Sequence, residues 1–266
     1  MSGVLTRQAA GGFHSLHPAD GELSTVQGTD DRSVRLIRLS AVLWLAAGIS
    51  YLACEAVTAS AIPGYSYARN YISDLGNPVV LNGGAARGGS PLAALMNAGF
   101  VVHGILFAFA GMLTCRAAIG GSRPRWFARA ALIHAAGLGL VAAFHSDRTA
   151  IADGTVVLHS VGAAVAIVSA NGAAIIISSA LDGVLTRTIT IACVLLGCIG
   201  WTSVLLLTIT HATRGVSVIH GAVWERGSVY TIIAWELLAA AAVLTQVRRS
   251  STTASNRRNP RDCSDV

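Results

Sequence analysis

Charge is what this chain has least of. Asp, Glu, Lys and Arg make up only 12% of its 266 residues, against roughly 25% in a soluble domain, while 53% are hydrophobic. That deficit excludes a soluble protein with a single anchor. Lysine is missing altogether: all 19 basic residues are Arg, a pattern that reads as the codon bias of a GC-rich genome and carries no chemistry. A close-spaced cysteine pair is also missing, which excludes a zinc ribbon or a dithiol redox site. Cys54, Cys115, Cys193 and Cys198 fall in or at the ends of apolar stretches and Cys263 in the tail, so all read as small packing residues. Ahead of Arg38 there is no early apolar core and no small-residue cleavage site, which argues against a cleaved signal peptide and makes the first apolar stretch its own insertion signal. No internal repeat is legible.

Six long apolar stretches are present: Leu39 to Ile62, Pro91 to Cys115, Phe127 to Phe144, Thr155 to Leu181, Thr186 to Thr210 and Ser228 to Val247. Each suffices to cross about 30 Å of hydrocarbon as a helix. The expected fold is all-α, a polytopic membrane bundle of six transmembrane helices. Arg residues crowd one set of span ends: Arg32, Arg35 and Arg38; Arg116, Arg123, Arg125 and Arg129; Arg187; and Arg248, Arg249, Arg257, Arg258 and Arg261. The opposite set has only Arg69, Arg87, Arg148, Arg214 and Arg226, so the positive-inside rule places both termini in the cytoplasm, N-in and C-in. The formal charge of +6 follows from this topology and implies no nucleic-acid partner; the lipid bilayer is the expected one. Residues 1–33, with His14 and His17, are expected to form a disordered arm, 34–247 the membrane domain, and 248–266 a disordered basic tail. Asp182 and Gly183 mark a tight helical hairpin.

Three exterior loops then hold the unusual polar residues: Pro63 to Ser90, His145 to Gly154, and His211 to Gly227. In the first, Tyr65, Tyr67 and Tyr71 suit the headgroup interface. Ser73 and Asp74, followed by Gly76-Asn77-Pro78, fit either a cap and turn or a ligand-contacting loop. The run Asn70-Tyr71-Ile72-Ser73-Asp74-Leu75-Gly76, the His145-Ser146-Asp147 corner ahead of His159, and Glu225-Arg226 at the opening of the sixth span together resemble an uncharacterised bacterial membrane family, domain of unknown function 998. The resemblance covers about Val34 to Val247 and implies a six-span bundle in a bacterial plasma membrane, with no established reaction. One departure is local: the family pattern has an aromatic-Pro-x-Asp corner where this chain has Phe144-His145-Ser146-Asp147.

His145 and Asp147 sit at the mouth of the third span, and His159 about 7 Å into the fourth at 1.5 Å per residue. Two imidazoles and a carboxylate make a chemically sensible zinc set, with Asp74 or water in the fourth position. The competing reading has His159 bonded to a backbone carbonyl or a Ser on a neighbouring helix. His103 and His134 lie at similar depth, about 17 Å from the exterior ends. That match invites a bis-histidine haem, but the fifth span has no His and His159 does not match in depth, so helix-to-helix hydrogen bonds are the better reading.

Glu55 and Glu236 are the most expensive residues in the chain, since an acid in a span costs on the order of 2.5–3.5 kcal/mol on insertion scales. Both fall in the exterior half, about 11 Å below Ile62 and about 14 Å below Gly227. They suit a shared proton, a pair with Arg226, or a lipid headgroup. Glu225 is expected to favour the dipole of the sixth helix and Arg226 to snorkel or hold a phosphate. Asn171 and the glycine-rich texture around Gly137, Gly139 and Gly162 point to close helix packing. The leading expectation is a lipid or envelope ligand in an outward-opening polar cavity lined by spans one, three, four and six, using Tyr67, Asp74, Arg226 and the buried acids. A metal-dependent membrane hydrolase built on His145, Asp147 and His159 is one alternative, and a small proton-coupled carrier with Glu55 and Glu236 as its relay is the other.

Overall fold

In the computed structural model the backbone is described for residues 20–78, 80–82, 85–87, 89–118, 122–181, 184–213 and 219–258, and side chains for 31–78, 89–118, 122–177, 180–181, 184–213 and 219–249. His14, His17, Cys263, Arg214, Arg261 and the Asp182–Gly183 turn lie outside the described residues, as do the side chains of Arg87, Arg257 and Arg258.

The chain forms α1 (Asp20–Ser60), α2 (Ala93–Ala117), α3 (Arg123–Ala143), a short α4 (Arg148–Asp153), α5 (Val156–Ala180), α6 (Arg187–Ala212) and α7 (Gly221–Arg258). Six of these contain stretches long and apolar enough to cross a membrane: Asp31–Ser60, Ala93–Ala117, Arg123–Ala143, Val156–Ile177, Arg187–Ala212 and Gly221–Arg249. They coincide with the six stretches of the sequence, and α1 and α7 continue past them as helix to Asp20 and Arg258. A two-stranded hairpin, β1 (Val80–Asn82) against β2 (Ala85–Arg87), decorates the long loop after α1.

Neighbours in sequence are neighbours in space. Helices α1, α2, α3, α5, α6 and α7 form a ring in that order, closed by α7 against α1, with α5 also touching α7 across it. The long loops around residues 61–92, 144–155 and 213–220 therefore share one end of the bundle, called here the long-loop end.

Lipid supplies no hydrophobic drive for helix to pack on helix, so close van der Waals fit has to do it. Two arrangements provide that fit. Trp44, Phe107, Phe127 and Trp235 interlock edge to face, with centroids 5.5–6.3 Å apart. On the other side of the ring, Gly137 of α3 and Gly162 of α5 let two backbones meet: a Cβ on Gly137 would come 2.6 Å from the Gly162 carbonyl oxygen. Gly139, expected to share that seam, has open space around it. Asn171 is the polar rivet between α5 and α7, donating to the Ser228 carbonyl at 2.9 Å while Thr231 donates to its Oδ1 at 3.0 Å. Gly200 of α6 makes room for it, since a Cβ there would lie 1.9 Å from Asn171 Oδ1. Large apolar side chains such as Ile49, Phe109, Leu195 and Leu205 face outward, as the hydrocarbon surroundings require.

Candidate functional site

The polar groups of the bundle are not spread along the walls of an open cavity, as the sequence suggests. Glu55, Arg226, Glu236, His103 and His134 are all buried, and they gather in two clusters at different depths.

The first cluster lies at the long-loop end and is assembled by the loop that follows α1. The 3-10 turn Ser73–Gly76, with buried Ile72 just ahead of it and buried Leu75 inside it, carries the loop back onto α1 and α2. Tyr71 N–H donates to Asp74 Oδ2 at 2.9 Å, so Asp74 closes a local turn. Helix α7 starts at Gly221, earlier than the apolar run implied, which moves Glu225 out of its first turn. The Glu225 carboxylate instead accepts from the backbone N–H groups of Ile72 and Ser73, and not from its own helix terminus.

One residue along, the Arg226 guanidinium donates to the Asn70 carbonyl and to the Tyr65 hydroxyl. Its Nε stands 3.4 Å from Glu55 Oε1. Tyr230, one turn on, donates to that same Oε1 at 2.9 Å. The guanidinium carbon also lies 4.9 Å from the Tyr67 ring centre and 5.6 Å from that of Tyr65. Burial pushes the Tyr65 hydroxyl up to about 12 despite the neighbouring guanidinium. Burial likewise raises Asp74, against the pull of the Tyr71 amide and Arg226, and raises Tyr71, helped by the negative charges of Glu225 and Asp74.

The His145–Asp147 corner joins the same assembly from below. Asn77 Oδ1 accepts from Ser146 N–H at 3.0 Å, and Asn97 bridges the Gly76 carbonyl and His145 Nε2 at 2.9 and 3.4 Å. The three motifs of the family resemblance thus meet in one latch between the loop, α2, the α3 corner and α7. The metal set does not form. Asp147 caps α4 by accepting from Ala150 N–H at 2.9 Å, and His159 Nδ1 is bonded to the Phe144 carbonyl at 2.7 Å. Among the described residues no three His, Cys, Asp or Glu side chains gather as metal ligands. His145, Asp147 and His159 thus each have a backbone or amide partner of their own.

The second cluster lies near the middle of the bundle. Glu236 Oε2 of α7 is 3.3 Å from His103 Nε2 of α2, whose Nδ1 is 3.3 Å from His134 Nε2 of α3. His134 Nδ1 ends the chain on the Ala166 carbonyl of α5, at 2.9 Å. A proton on one ring nitrogen fixes the roles along the whole row, since a neutral imidazole donates from one nitrogen and accepts at the other. Gly48 of α1 lets α7 come close here: a Cβ on it would lie 3.2 Å from the side chains of Ile233 and Leu237, which flank Glu236. The second carboxyl oxygen, Oε1, is buried without a hydrogen-bond partner. Beside the imidazoles is a cavity of about 30 Å³ lined by Tyr51, His103, His134, Leu138, Ala166, Val229 and neighbouring isoleucines of α5 and α7, with room for a water molecule. The two imidazoles are bonded directly to each other, a helix-to-helix hydrogen bond between α2 and α3.

The sequence supplied the pairing of Glu55 with Arg226 as one option among three, and the matched depth of His103 and His134. It missed the addition of Glu236 to that pair, although its depth, estimated at about 14 Å against about 17 Å for the imidazoles at 1.5 Å per residue, was a usable signal. Tyr230, Asn97 and Tyr51 carried no signal beyond their residue type, and Tyr65 was read only as an interface residue. No curated protein and no solved structure matches this chain. The family described as Protein of unknown function (DUF998) matches residues 45–242, from the middle of α1 to the middle of α7, and the chain belongs to that family.

Proposed function

We propose that this multi-pass membrane protein is a small proton-coupled carrier whose proton site is Glu236 with His103 and His134, set in a bacterial plasma membrane with both termini cytoplasmic. The observation that carries the reading is the Glu236–His103–His134 row, buried at mid-depth and ending in a carboxyl oxygen without a partner. Every member of the row gains or loses charge with a proton. The groups that face it from the packed helices are Tyr51 of α1 and the Ala166 carbonyl of α5. The nearest arginine along α7, Arg226, is ten residues away, about 15 Å at the helical rise. An ionisable group held inside a membrane bundle is costly and marks proton or ion handling by default.

Proteoliposomes carrying an imposed pH gradient, offered a defined mixture of labelled sugars, amino acids and organic ions, test the carrier reading. Gradient-driven accumulation of one solute class, lost in Glu236→Gln and retained in Tyr67→Phe, is expected. Absence of accumulation in the wild type, or accumulation undiminished in Glu236→Gln, contradicts it.

A second reading, recognition of a lipid or envelope molecule at the long-loop end, is favoured by Tyr67, whose ring is 46% exposed while lying against Arg226. Arg226 in that cluster is already committed to Glu55, Asn70 and Tyr65. A ligand at that end would thus have to compete with internal partners, which is why the proton reading is preferred.

A further inference from the structure

On the outer surface of the ring, α3 and α6 both lean on α5 from opposite sides and leave its outward face uncovered between them. The floor of that gap is made of small and medium side chains of α5, Ser169, Gly172 and Ile176, and its walls are Trp126 and Ile133 of α3 and Trp201 of α6. The result is a groove of about 700 Å³, within the roughly 300–1,000 Å³ of small-molecule sites. Ser169 Oγ and the Trp201 indole are turned inward: Ser169 Oγ donates to the Val165 carbonyl at 2.7 Å and Trp201 Nε1 to the Val168 carbonyl at 3.0 Å. What remains facing outward is apolar.

One end of the groove is different. Arg129 lies there with its guanidinium carbon 4.6 Å from the Trp126 ring centre. Trp126 is 57% exposed, Trp201 43%. Arg123 and Arg125, also exposed, stand one turn earlier on α3, and Arg116 closes α2 at the same end of the bundle. Among the described residues no acidic side chain lines the groove. Since α3, α5 and α6 are three of the candidate spans, the apolar trough lies at hydrocarbon depth. Arg129 is two turns from the start of α3, about 9 Å at the helical rise, where an arginine reaches the headgroup layer by snorkelling.

We propose that this groove is a binding site for an anionic phospholipid of the leaflet nearest the chain termini, with an acyl chain along Gly172 and the headgroup phosphate on Arg129. The cation at one end and the apolar trough beyond it match the two halves of such a lipid, and a guanidinium is suited to a phosphate by its planar fork of donors. The site is independent of the proton row, from which it is separated by the body of α5 and α3.

The test uses the full chain in nanodiscs and reads tryptophan quenching by lipids with brominated acyl chains. Brominated phosphatidylglycerol at low mole fraction in phosphatidylcholine is compared with brominated phosphatidylcholine at the same fraction in phosphatidylglycerol. Quenching several-fold stronger in the first case, falling to parity in Arg129→Gln, is the expected result. Because Arg129 is exposed, that variant keeps the packed bundle. Gly172→Leu, which narrows the trough against Trp201, is expected to weaken quenching by both lipids. Equal quenching by the two lipids in the wild type, or a preference untouched by Arg129→Gln, overturns the proposal. So does a groove covered by a second copy of the chain, seen as a dimer in detergent that Gly172→Leu disperses.

Discussion

The two buried clusters use the same currency, a carboxylate inside a membrane bundle, and resolve it in opposite ways. Glu55 faces Arg226, which keeps its charge at any pH a cell meets, and Tyr230 and Tyr65 complete the set. Glu236 faces His103 and, through it, His134, neither of which has a permanent charge. Glu55 therefore has a permanent counter-charge beside it, whereas charge in the middle has to arrive and leave with a proton. The first arrangement suits a latch that fixes a loop onto helices; the second suits a site that changes state. Both leave one carboxyl oxygen without a partner, Glu55 Oε2 and Glu236 Oε1, so the counter-charge and not the bond tally separates them.

The sharpest way to break this contrast is to remove the fixed charge. Arg226→Ala strands Glu55 and frees the Asn70 carbonyl and Tyr65 hydroxyl, and should cost about 3–5 kcal/mol, the range for breaking a buried ion pair from one side. Thermal or denaturant unfolding in detergent reads the loss, and Arg226→Lys should recover only part of it because a compact ammonium lacks the planar fork that spreads the guanidinium over its three partners. Next in size is Glu225→Ala, which leaves the Ile72 and Ser73 amides without their acceptor at a cost of about 1–3 kcal/mol. Its effect should show as faster hydrogen exchange confined to residues 70–77.

Glu236→Gln, by contrast, keeps the shape and removes only the ionisable group, so its unfolding midpoint should stay within about 1 kcal/mol of wild type or rise. A loss as large as that of Arg226→Ala would erase the distinction between the clusters. The smallest effect concerns Asp74, whose carboxyl burial holds above its ordinary value. A carboxyl raised in the folded state disfavours folding once ionised, so stability falls as pH rises from the ordinary carboxylate value through the raised one. Asp74→Asn should flatten that slope, matching wild type in acid and exceeding it slightly at neutral pH, as followed by unfolding across a pH series.

The six spans were legible because hydrocarbon thickness dictates the length of an apolar run, and a run of that length reads the same in a sequence as in a helix. The cost of burying Glu55 and Glu236 was legible for the same reason. What they face was not, because partners come from helix order around the ring, and nothing in the sequence of α7 says that α1 stands beside it or that His103 of α2 reaches it. The supposed zinc set failed on a local matter: Asp147 sits three residues ahead of Ala150 and caps a short helix that the loop length concealed. Glu225 was misassigned because the apolar run began later than the helix did. Gly221 starts α7 in a stretch where polarity suggested loop, and the polar face it creates is the one that holds the Ile72–Ser73 turn.

The most direct test of the central claim is an infrared pH titration of the detergent-purified protein, following the protonated-carboxyl band in wild type, Glu236→Gln and Glu55→Gln. The account predicts, beside the band of Asp74 and the exposed acids, a component that appears and disappears with pH, is missing in Glu236→Gln and persists in Glu55→Gln. A band unaffected by Glu236→Gln, or a component lost only in Glu55→Gln, would contradict it and shift proton handling to the long-loop end.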